Sequence, residues 1–405
     1  MTDFIATRAD ALERCRAFAP AMGAPYTNGR NHDHGPGRHT AVSQLSPWIR
    51  RRLVTEAEVI ATAVAAHGAT RAGKFIEEVC WRSYFKGWLE QRPQVWDAYR
   101  AGLVDDLAGL ARNPRLRDDV TRAEAGATGI ACFDAWAREL RDFGYLHNHA
   151  RMWFASIWIF TLRLPWRLGA DFFLRHLLDG DPASNTPGWR RVAGQHTRGK
   201  PYVARAGNIA TYTGQRHMPR DDELAAVTAG LEDTEPDGLP PALPLRQVTP
   251  PNPGRPSALL ITEEDCCVED FPLHEFDLRT SATLAASALR SPGPVSAAVM
   301  CFEDAALADA AARAGVRATP LRADQADTLV AWATSAGVTQ IVTPYVPRGP
   351  LYDWLTDAAP LLDARGIVLA EWRREWDIAV WPHATAGFFK VKQRIPHLLA
   401  RFGIA

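Results

Sequence analysis

Metal-site spacing is missing from this sequence. Its six cysteines, Cys15, Cys80, Cys132, Cys266, Cys267 and Cys301, never recur at the short intervals that build a zinc or iron–sulfur centre, so no metal ligand is expected. There is no GxGxxG and no Walker-type loop, which removes the two commonest ways a strand-to-helix turn cradles phosphate. No secretory leader opens the chain, and with free thiols this leads us to expect a reduced, cytoplasmic protein. The most apolar stretch, MWFASIWIFTLRLPW at 152–166, is interrupted by Arg163 and falls short of the roughly 20 residues a membrane span needs. It reads as a core helix, and no membrane partner is expected. Internal repeats are also absent.

Net charge is missing only in the sum. Residues 1–220 hold 31 Lys and Arg against 21 Asp and Glu, whereas residues 221–405 hold 15 against 25. A basic part joined to an acidic part suggests that the first meets something anionic, either nucleic acid or a phosphorylated cofactor; compositional drift in an arginine-rich proteome is the plain alternative.

What is present organises the chain. With 405 residues and 47% hydrophobic content, the length allows two or three domains with full cores. The stretch 236–256 has eight prolines in 21 residues, too many for helix or strand, and describes a stiff, extended connector. Upstream, EAEVIATAVAAHG, GKFIEEVCWRSYFKGWLEQRP, FDAWARELRDFG and GADFFLRHLLDGD carry apolar residues at three- and four-residue spacing, predicting a mostly α domain. Downstream, SALLIT, VSAAVMCF, TQIVTPYV and GIVLAEW read as buried strands. EDAALADAAARAG, DQADTLVAWATSAG and LYDWLTDAAPLLDARG read as crossover helices, an alternation that predicts a parallel, Rossmann-like sheet. The expected division is therefore a helical domain over 1–230, a linker over 231–256 and an α/β domain over 257–405.

LLDGDPASNTPGW at 177–189 puts two carboxylates, an amide and an indole side by side. Locally, Asp179-Gly180 is a turn signal, Asp181 can N-cap a helix and Pro182 suits its first position. That leaves Asn185 and Trp189 unexplained.

The wider block, TGIACFDAWARELRDFGYLHNHARMWFASIWIFTLRLPWRLGADFFLRHLLDGDPASNTPGW at 128–189, resembles the most characteristic stretch of the DNA photolyase and cryptochrome flavoproteins. That family orders TG, an Asp-containing helix, G-[WY]-x-HN-x-x-RM, D-W-x-x-G and DGD-x-x-x-N-x-x-x-W. YTNGRNHDHGPGRHTAVSQLSPWI at 26–49 is similar to its T-S-x-L-S-P segment, and KFIEEVCWRSYF at 74–85 to its E-L-x-W-R-E-F-Y. Together the resemblance runs from residue 26 to about 215.

It implies an all-α domain enclosing FAD. On that pattern Tyr26, Arg30, Val42, Ser43, Gln44, Leu45 and Ser46 would hold the pyrophosphate and ribityl portion. Phe75, Arg82, Asn148, Arg151, Asp179, Asp181 and Asn185 would surround the ring and sugar. Helix-start N–H groups and small hydroxyls suit an anion, although LSP also reads simply as a cap before the next helix. Asn185 would face the flavin N5, where an amide tolerates a reduced, anionic flavin and a carboxylate would repel it.

The implied activity is blue-light-driven splitting of cyclobutane pyrimidine dimers in UV-damaged DNA, with the lesion flipped out of the duplex. Glu78, Trp81, Asn148 and Met152 match the lesion-contacting positions. Glu78 would stabilise the lesion's radical anion if burial kept it protonated, and Trp81 would supply a flat apolar wall. Without the family pattern, Trp81 reads as core and Glu78 as a solvated helix residue. His147 followed by Asn148 fits the cyclobutane-dimer type, and His147 alone reads as a packed helix residue.

Trp189 and Trp166 fit the inner and middle members of the family's photoreduction chain. The outer member is missing, since ARNPRLRDD at 111–119 has no aromatic residue, and Trp136, Trp153 or Trp158 are the candidate exits. Arg191 stands where the family commonly has another tryptophan. The family's α/β antenna domain normally precedes the helical one, whereas here an α/β domain follows it; its closing HATAGFFKVKQRIPHLL at 383–399 suggests a rearranged order, and the antenna chromophore stays unassigned. These departures keep open a cryptochrome-like photoreceptor without repair, whose acidic C-terminal domain would meet a signalling partner. A helical binding module without photochemistry is a third alternative.

Overall fold

The computed structural model describes residues 4–196, 199–226, 229–235 and 237–404. In chain order the helices are α1 (Arg8–Phe18), α2 (Ala24–Gly29), α3 (Ser46–Arg50), α4 (Glu56–Arg71), α5 (Gly73–Glu90), α6 (Pro93–Arg112), α7 (Pro114–Ala125), α8 (Ala131–Phe143), α9 (Asn148–Ser156), α10 (Trp166–His176), α11 (Pro182–Val192) and α12 (Ala206–Tyr212). There follow α13 (Ala297–Arg313), α14 (Ala326–Ser335), α15 (Pro350–Asp363), α16 (Glu375–Val380), α17 (Phe389–Lys392) and α18 (Ile395–Arg401). The strands β1 (Ser257–Thr262), β2 (Leu278–Ala285), β3 (Thr319–Arg322), β4 (Gln340–Pro344) and β5 (Val368–Trp372) pair in parallel in the order β3-β2-β1-β4-β5.

Contacts divide the chain into two compact units that do not follow chain order. One holds Ala24–Gln44 and Arg92–Ala242; the other holds Phe4–Gly23, Leu45–Gln91 and Leu243–Ala405. The sequence division at 231–256 therefore cuts differently, because α1 and α3 to α5 share a unit with the sheet.

Within the sheet unit, SALLIT, TQIVTPYV and GIVLAEW supply β1, β4 and β5 as expected. VSAAVMCF is a correction: it opens α13 instead of forming a strand. Ser296 caps the Ala298 N–H, and Val299, Phe302, Ala306 and Ala310 are buried at helical spacing in one continuous element. The strand in its place is β2, LRTSATLA, whose small polar side chains hide a buried run. β3 is the four-residue TPLR. Aliphatic residues such as Leu260, Leu284, Ile341, Leu355 and Leu362 fill the core between sheet and helices.

The strand order reverses between β1 and β4, which makes their carboxyl ends the switch point where doubly wound folds usually open a ligand crevice. Buried charge fills that position here. Glu263, Glu264 and Asp265, directly after β1, meet Arg50, Arg51 and Arg52, at the end of α3 and just beyond it. Arg50 grips Glu264 with two bonds of 2.8 and 2.7 Å, and Lys86 joins at 3.3 Å. Glu263 lies 3.2 Å from Arg51 and 2.8 Å from Arg290. Arg52 contacts Asp265 at 3.3 Å and Asp377 at 2.6 Å, holding a left-handed backbone with φ 50° that a non-glycine residue adopts only under constraint. Burial, the largest single effect on Glu263, pushes its carboxyl up, but the guanidiniums of Arg290, Arg51 and Arg50 together outweigh it and hold the group at about 2.

The proline-rich stretch forms neither helix nor strand over 237–256, as expected, and Pro236 lies outside the described residues. It is a docked strap instead of a free spacer. The Thr249 carbonyl accepts from the Glu371 N–H at 2.9 Å, and the Arg246 guanidinium sits over Tyr345 and Tyr352 at 4.3 and 4.7 Å.

In the helical unit, the apolar run 152–166 is not one helix. α9 gives way to a π-turn at Ile157–Thr161, and Trp158 Nε1 donates to the Pro165 carbonyl at 2.9 Å before α10 begins. Stacked rings dominate its core, with Phe133 on Phe154 at 4.2 Å and Trp136 on Trp153 at 5.5 Å. Among the described residues no helix is long and apolar enough to cross a membrane.

Candidate functional site

Both explanations of the DGD stretch hold at once. Asp181 has extended backbone and accepts the Ala183 N–H at 3.0 Å, and Pro182 opens α11, so the cap and first turn are those the local residues predict. Asp179 does separate work: 5% exposed, it pairs with Arg151 Nη2 at 2.9 Å. Arg151 Nε donates to the Leu146 carbonyl at 2.9 Å, which fixes the guanidinium plane. Asn185, one turn into α11 and 9% exposed, donates from Nδ2 to the Ala170 carbonyl at 2.8 Å. That bond leaves the amide's oxygen as its acceptor.

Trp189 follows Asn185 by four residues and so lies on the same side of α11. Its ring contacts Phe173 at 5.1 Å and Trp158 at 6.3 Å. Gly169 is required there, because a Cβ on it would come within 2.3 Å of the Trp189 ring. Trp166 lies against Tyr99 at 5.9 Å, and Tyr99 stacks on Trp96 at 5.3 Å. Among the described residues Trp166 and Trp189 do not stack on each other. Trp158 is the candidate exit in ring contact with Trp189; Trp136 and Trp153 form their own stack. Tyr99 and Trp96 were not anticipated, since they sit upstream of the resembling block's aromatic spacing.

The segment that the resemblance assigned to phosphate is anchored by a buried polar network in the same unit. Asp33 accepts from Trp136 Nε1 at 3.1 Å and from the Gly35 N–H at 2.9 Å, and Arg216 lies 2.8 Å away. Burial pushes the Asp33 carboxyl up, yet Arg216 and that N–H outweigh it and hold it low. His39 bridges to Glu139 at 3.2 Å, and the Gln44 amide donates to the His39 carbonyl at 3.2 Å.

His147 corrects the reading of a packed helix residue: it is the N-cap of α9. Nδ1 accepts the His149 N–H at 3.2 Å and Nε2 donates to the Arg30 carbonyl at 3.0 Å, an arrangement that requires the neutral ring protonated on Nε2. Burial pulls this imidazole down to about 3, in agreement with that geometry. HDHGPGRH at 32–39 was the signal for this cluster. Among the described residues no group of His, Cys, Asp and Glu could hold a metal ion.

Asn148 opens α9 exposed, and Met152 lies half-buried one turn on. In the helical unit Tyr26 is half-buried within α2 and Arg30 half-buried just after it, with Val42, Ser43 and Gln44 half-buried after the network. The remaining assigned cofactor residues, Leu45, Ser46, Phe75 and Arg82, fall in the sheet unit. There Ser46 begins α3, which is only five residues long, and Arg82 Nη2 donates to the Ser46 carbonyl at 3.3 Å. Phe75 is 3% exposed and lies 6.2 Å from Phe18.

α5 differs from expectation at the residues that the resemblance assigned to the lesion. Glu78 is about one-third exposed, at 31%, and paired with Lys74 at 2.8 Å, so the burial invoked for a protonated carboxyl is absent. Trp81 has one face already covered: Phe388 stacks on it at 4.1 Å with the planes 15° apart. Gly87 lets this region close, since a Cβ there would meet the Trp381 backbone at 2.8 Å.

Within the helical unit the donor set suits a flavin: the fixed Arg151–Asp179 pair and the Asn185 amide with its acceptor oxygen are groups that can neutralise and orient a ring whose pyrimidine edge gains negative charge on reduction. Residues 75–220 match the family model described as the FAD binding domain of DNA photolyase. The deoxyribodipyrimidine photo-lyase of Streptomyces griseus is 36% identical over 182 residues, 44% of this chain and 37% of the relative. A deoxyribodipyrimidine photo-lyase of Thermus thermophilus is 32% identical over 211 residues, 52% of this chain and 47% of the relative. The chain thus spans less than half the length of these curated relatives. Among solved structures, a class III photolyase from Agrobacterium tumefaciens aligns with a TM-score of 0.42 at 26% identity, covering 51% of this chain and 43% of that one. A Synechocystis cryptochrome aligns at 0.40 and 21% over the same shares. Over residues 75–220 the chain therefore carries the FAD-binding domain described for DNA photolyase, and the cofactor of that stretch is FAD.

Proposed function

We propose that this protein is a light-driven DNA repair enzyme that splits cyclobutane pyrimidine dimers. With FAD bound, the site would supply a one-electron donor excited by blue light for a flipped-out lesion, the electron returning once the cyclobutane ring has opened.

The chain's own residues position and insulate that exchange. Arg151, held by Asp179 at 2.9 Å and by the Leu146 carbonyl, offers a rigid cation to the cofactor's electron-rich edge. Asn185, oriented through Ala170, offers an oxygen that can accept from an N–H and does not repel added charge. Tyr26, Arg30, Val42, Ser43, Gln44, Leu45, Ser46, Phe75, Arg82 and Asp181 complete the set assigned to the cofactor. Asn148 and Met152, one turn apart on α9, and Glu78 and Trp81 on α5 are the residues assigned to the lesion. Trp189 and Trp166 are assigned to refilling the flavin with electrons, with Trp158 or the Tyr99–Trp96 pair carrying the hole onward.

The observation that carries this reading is the Arg151–Asp179 pair standing beside an Asp181-capped helix that bears Asn185 and Trp189. The test is anaerobic reduction of the flavin followed by blue illumination with an oligonucleotide containing one thymine dimer. Loss of dimer in the light and none in the dark is expected. Intact FAD with no light-dependent loss would sink the proposal.

A second reading, a flavin photoreceptor without repair, draws on Phe388 covering one face of Trp81 and on the exposed Arg191. It predicts photoreduction with a light-dependent change in tryptic cleavage of the C-terminal residues and no dimer loss.

A further inference from the structure

The segment that covers Trp81 carries two consecutive phenylalanines with opposite fates. Phe388 is 7% exposed and stacked on Trp81, whereas Phe389 is 65% exposed. Val391, two residues on, is fully buried, so the single turn of α17 is pinned from Phe388 and Val391 with Phe389 and Lys390 turned to solvent. An exposed phenylalanine held beside a buried aromatic anchor forgoes burial that a shift of one residue would offer. Its neighbours are cationic. Lys390, Lys392 and Arg394 are all exposed. Lys392 has Glu77 as a partner at 2.8 Å, but among the described residues neither Lys390 nor Arg394 has a carboxylate partner.

We propose that Phe389, with Lys390, Lys392 and Arg394, forms a nucleic-acid contact in which the ring stacks on an unpaired base and the cations meet the phosphates beside it. A flat exposed ring interleaved with cations is the chemistry that holds single-stranded nucleic acid without reading its sequence. Continuity with Trp81 through Phe388 places this contact next to the residue assigned to the lesion. In that respect the inference rests on the proposed function. An extruded dimer leaves the two bases opposite it unpaired, and Phe389 would stack on one of them.

The test uses the full-length FAD-loaded protein and a fluorescein-labelled single-stranded 16-mer, followed by a duplex carrying one thymine dimer. Phe389→Ala should weaken single-strand binding roughly 5- to 100-fold, the loss of one stacked base. Arg394→Ala should flatten the dependence of log affinity on log salt by about 1. Flavin content and photoreduction should match the parent in both variants, which separates lost contact from misfolding. Parent-like affinity in both variants, while the parent repairs dimers, would overturn the inference and leave the repair reading standing. Weakened binding in the variants of a parent that shows no light-dependent repair would support the contact and remove the repair reading. A parent that binds anionic phosphatidylserine vesicles but no oligonucleotide would overturn the contact.

Discussion

Each of the two compact units has its own kind of interior. In the helical unit, rings pack on rings: Phe133, Trp136, Trp153, Phe154 and Trp158 are all 0% exposed, and buried charges pair in small groups such as Asp33 with Arg216 and His39 with Glu139. The sheet unit has an aliphatic core and, at the switch point of its sheet, a layer of buried ion pairs built from Arg50, Arg51 and Arg52 against Glu263, Glu264 and Asp265. The contrast bears on the charge asymmetry of the sequence. Arginines of the basic half and carboxylates of the acidic half neutralise one another inside a single unit, so part of the imbalance is internal structure and only the remainder is available to an anionic partner. It also bears on small-molecule ligands of the sheet unit, because the position where an open α/β sheet usually receives one is filled with side chains.

The comparison can be broken at its strongest point first. Glu263→Ala leaves Arg51 and Arg290 buried without their shared counter-charge, and Arg51 stays cationic at neutral pH even though burial pulls it down to about 10. A loss of about 3–5 kcal/mol is expected in urea denaturation, and a loss below about 1 kcal/mol would mean that the ionic layer does not hold the sheet unit. Asp179→Asn should leave the helical unit folded but free Arg151, weakening FAD retention about 10- to 100-fold by fluorescence titration, as expected for a charged hydrogen bond. Gly169→Ala drives a methyl into the Trp189 ring and should cost about 1–3 kcal/mol while shifting tryptophan emission. Unchanged emission would show that the ring packing yields more easily than the contact implies.

The last effect concerns pH and amounts to about 2 kcal/mol between pH 7 and 5. Unfolded, His147 binds a proton near pH 6.5, whereas in the folded chain burial holds it to about 3. Between those values the unfolded state carries the extra proton. The contribution of this site to stability is therefore complete above about pH 6.5 and drains by about 1.4 kcal/mol per pH unit below it. His147→Gln should remove that slope when the two proteins are compared by thermal melts at pH 7 and 5. Parallel slopes would mean that the ring is charged in the folded state, against the bonds it makes to Arg30 and His149.

Much of the helical secondary structure was legible because its signals are local. Periodicity located α4, α5, α8 and α10, and the Asp181 cap and Pro182 start could be read from neighbouring residues. The sheet was legible where strands are β-branched or aliphatic runs, as in SALLIT, and illegible in LRTSATLA, where burial is a property of what lies above and below the strand. VSAAVMCF misled because a short apolar run has no period of its own, and only its continuation into EDAALADAAAR makes it a helix. RRR at 50–52 and EED at 263–265 are visible as complementary triplets, yet nothing in their spacing of more than two hundred residues says that they meet.

Residue order alone was enough for the flavoprotein block, the helices that carry it, the cap and turn around Asp179 and Asp181, and the identity of the cofactor. Those depend on residue type at short range, where chain geometry leaves few choices. Long-range packing was needed to join α3 to α5 with the sheet, to set Phe388 on a face of Trp81 and to close the switch point with charge. Each of these is a contact between residues far apart in the chain, fixed by burial and pairing that no local pattern encodes.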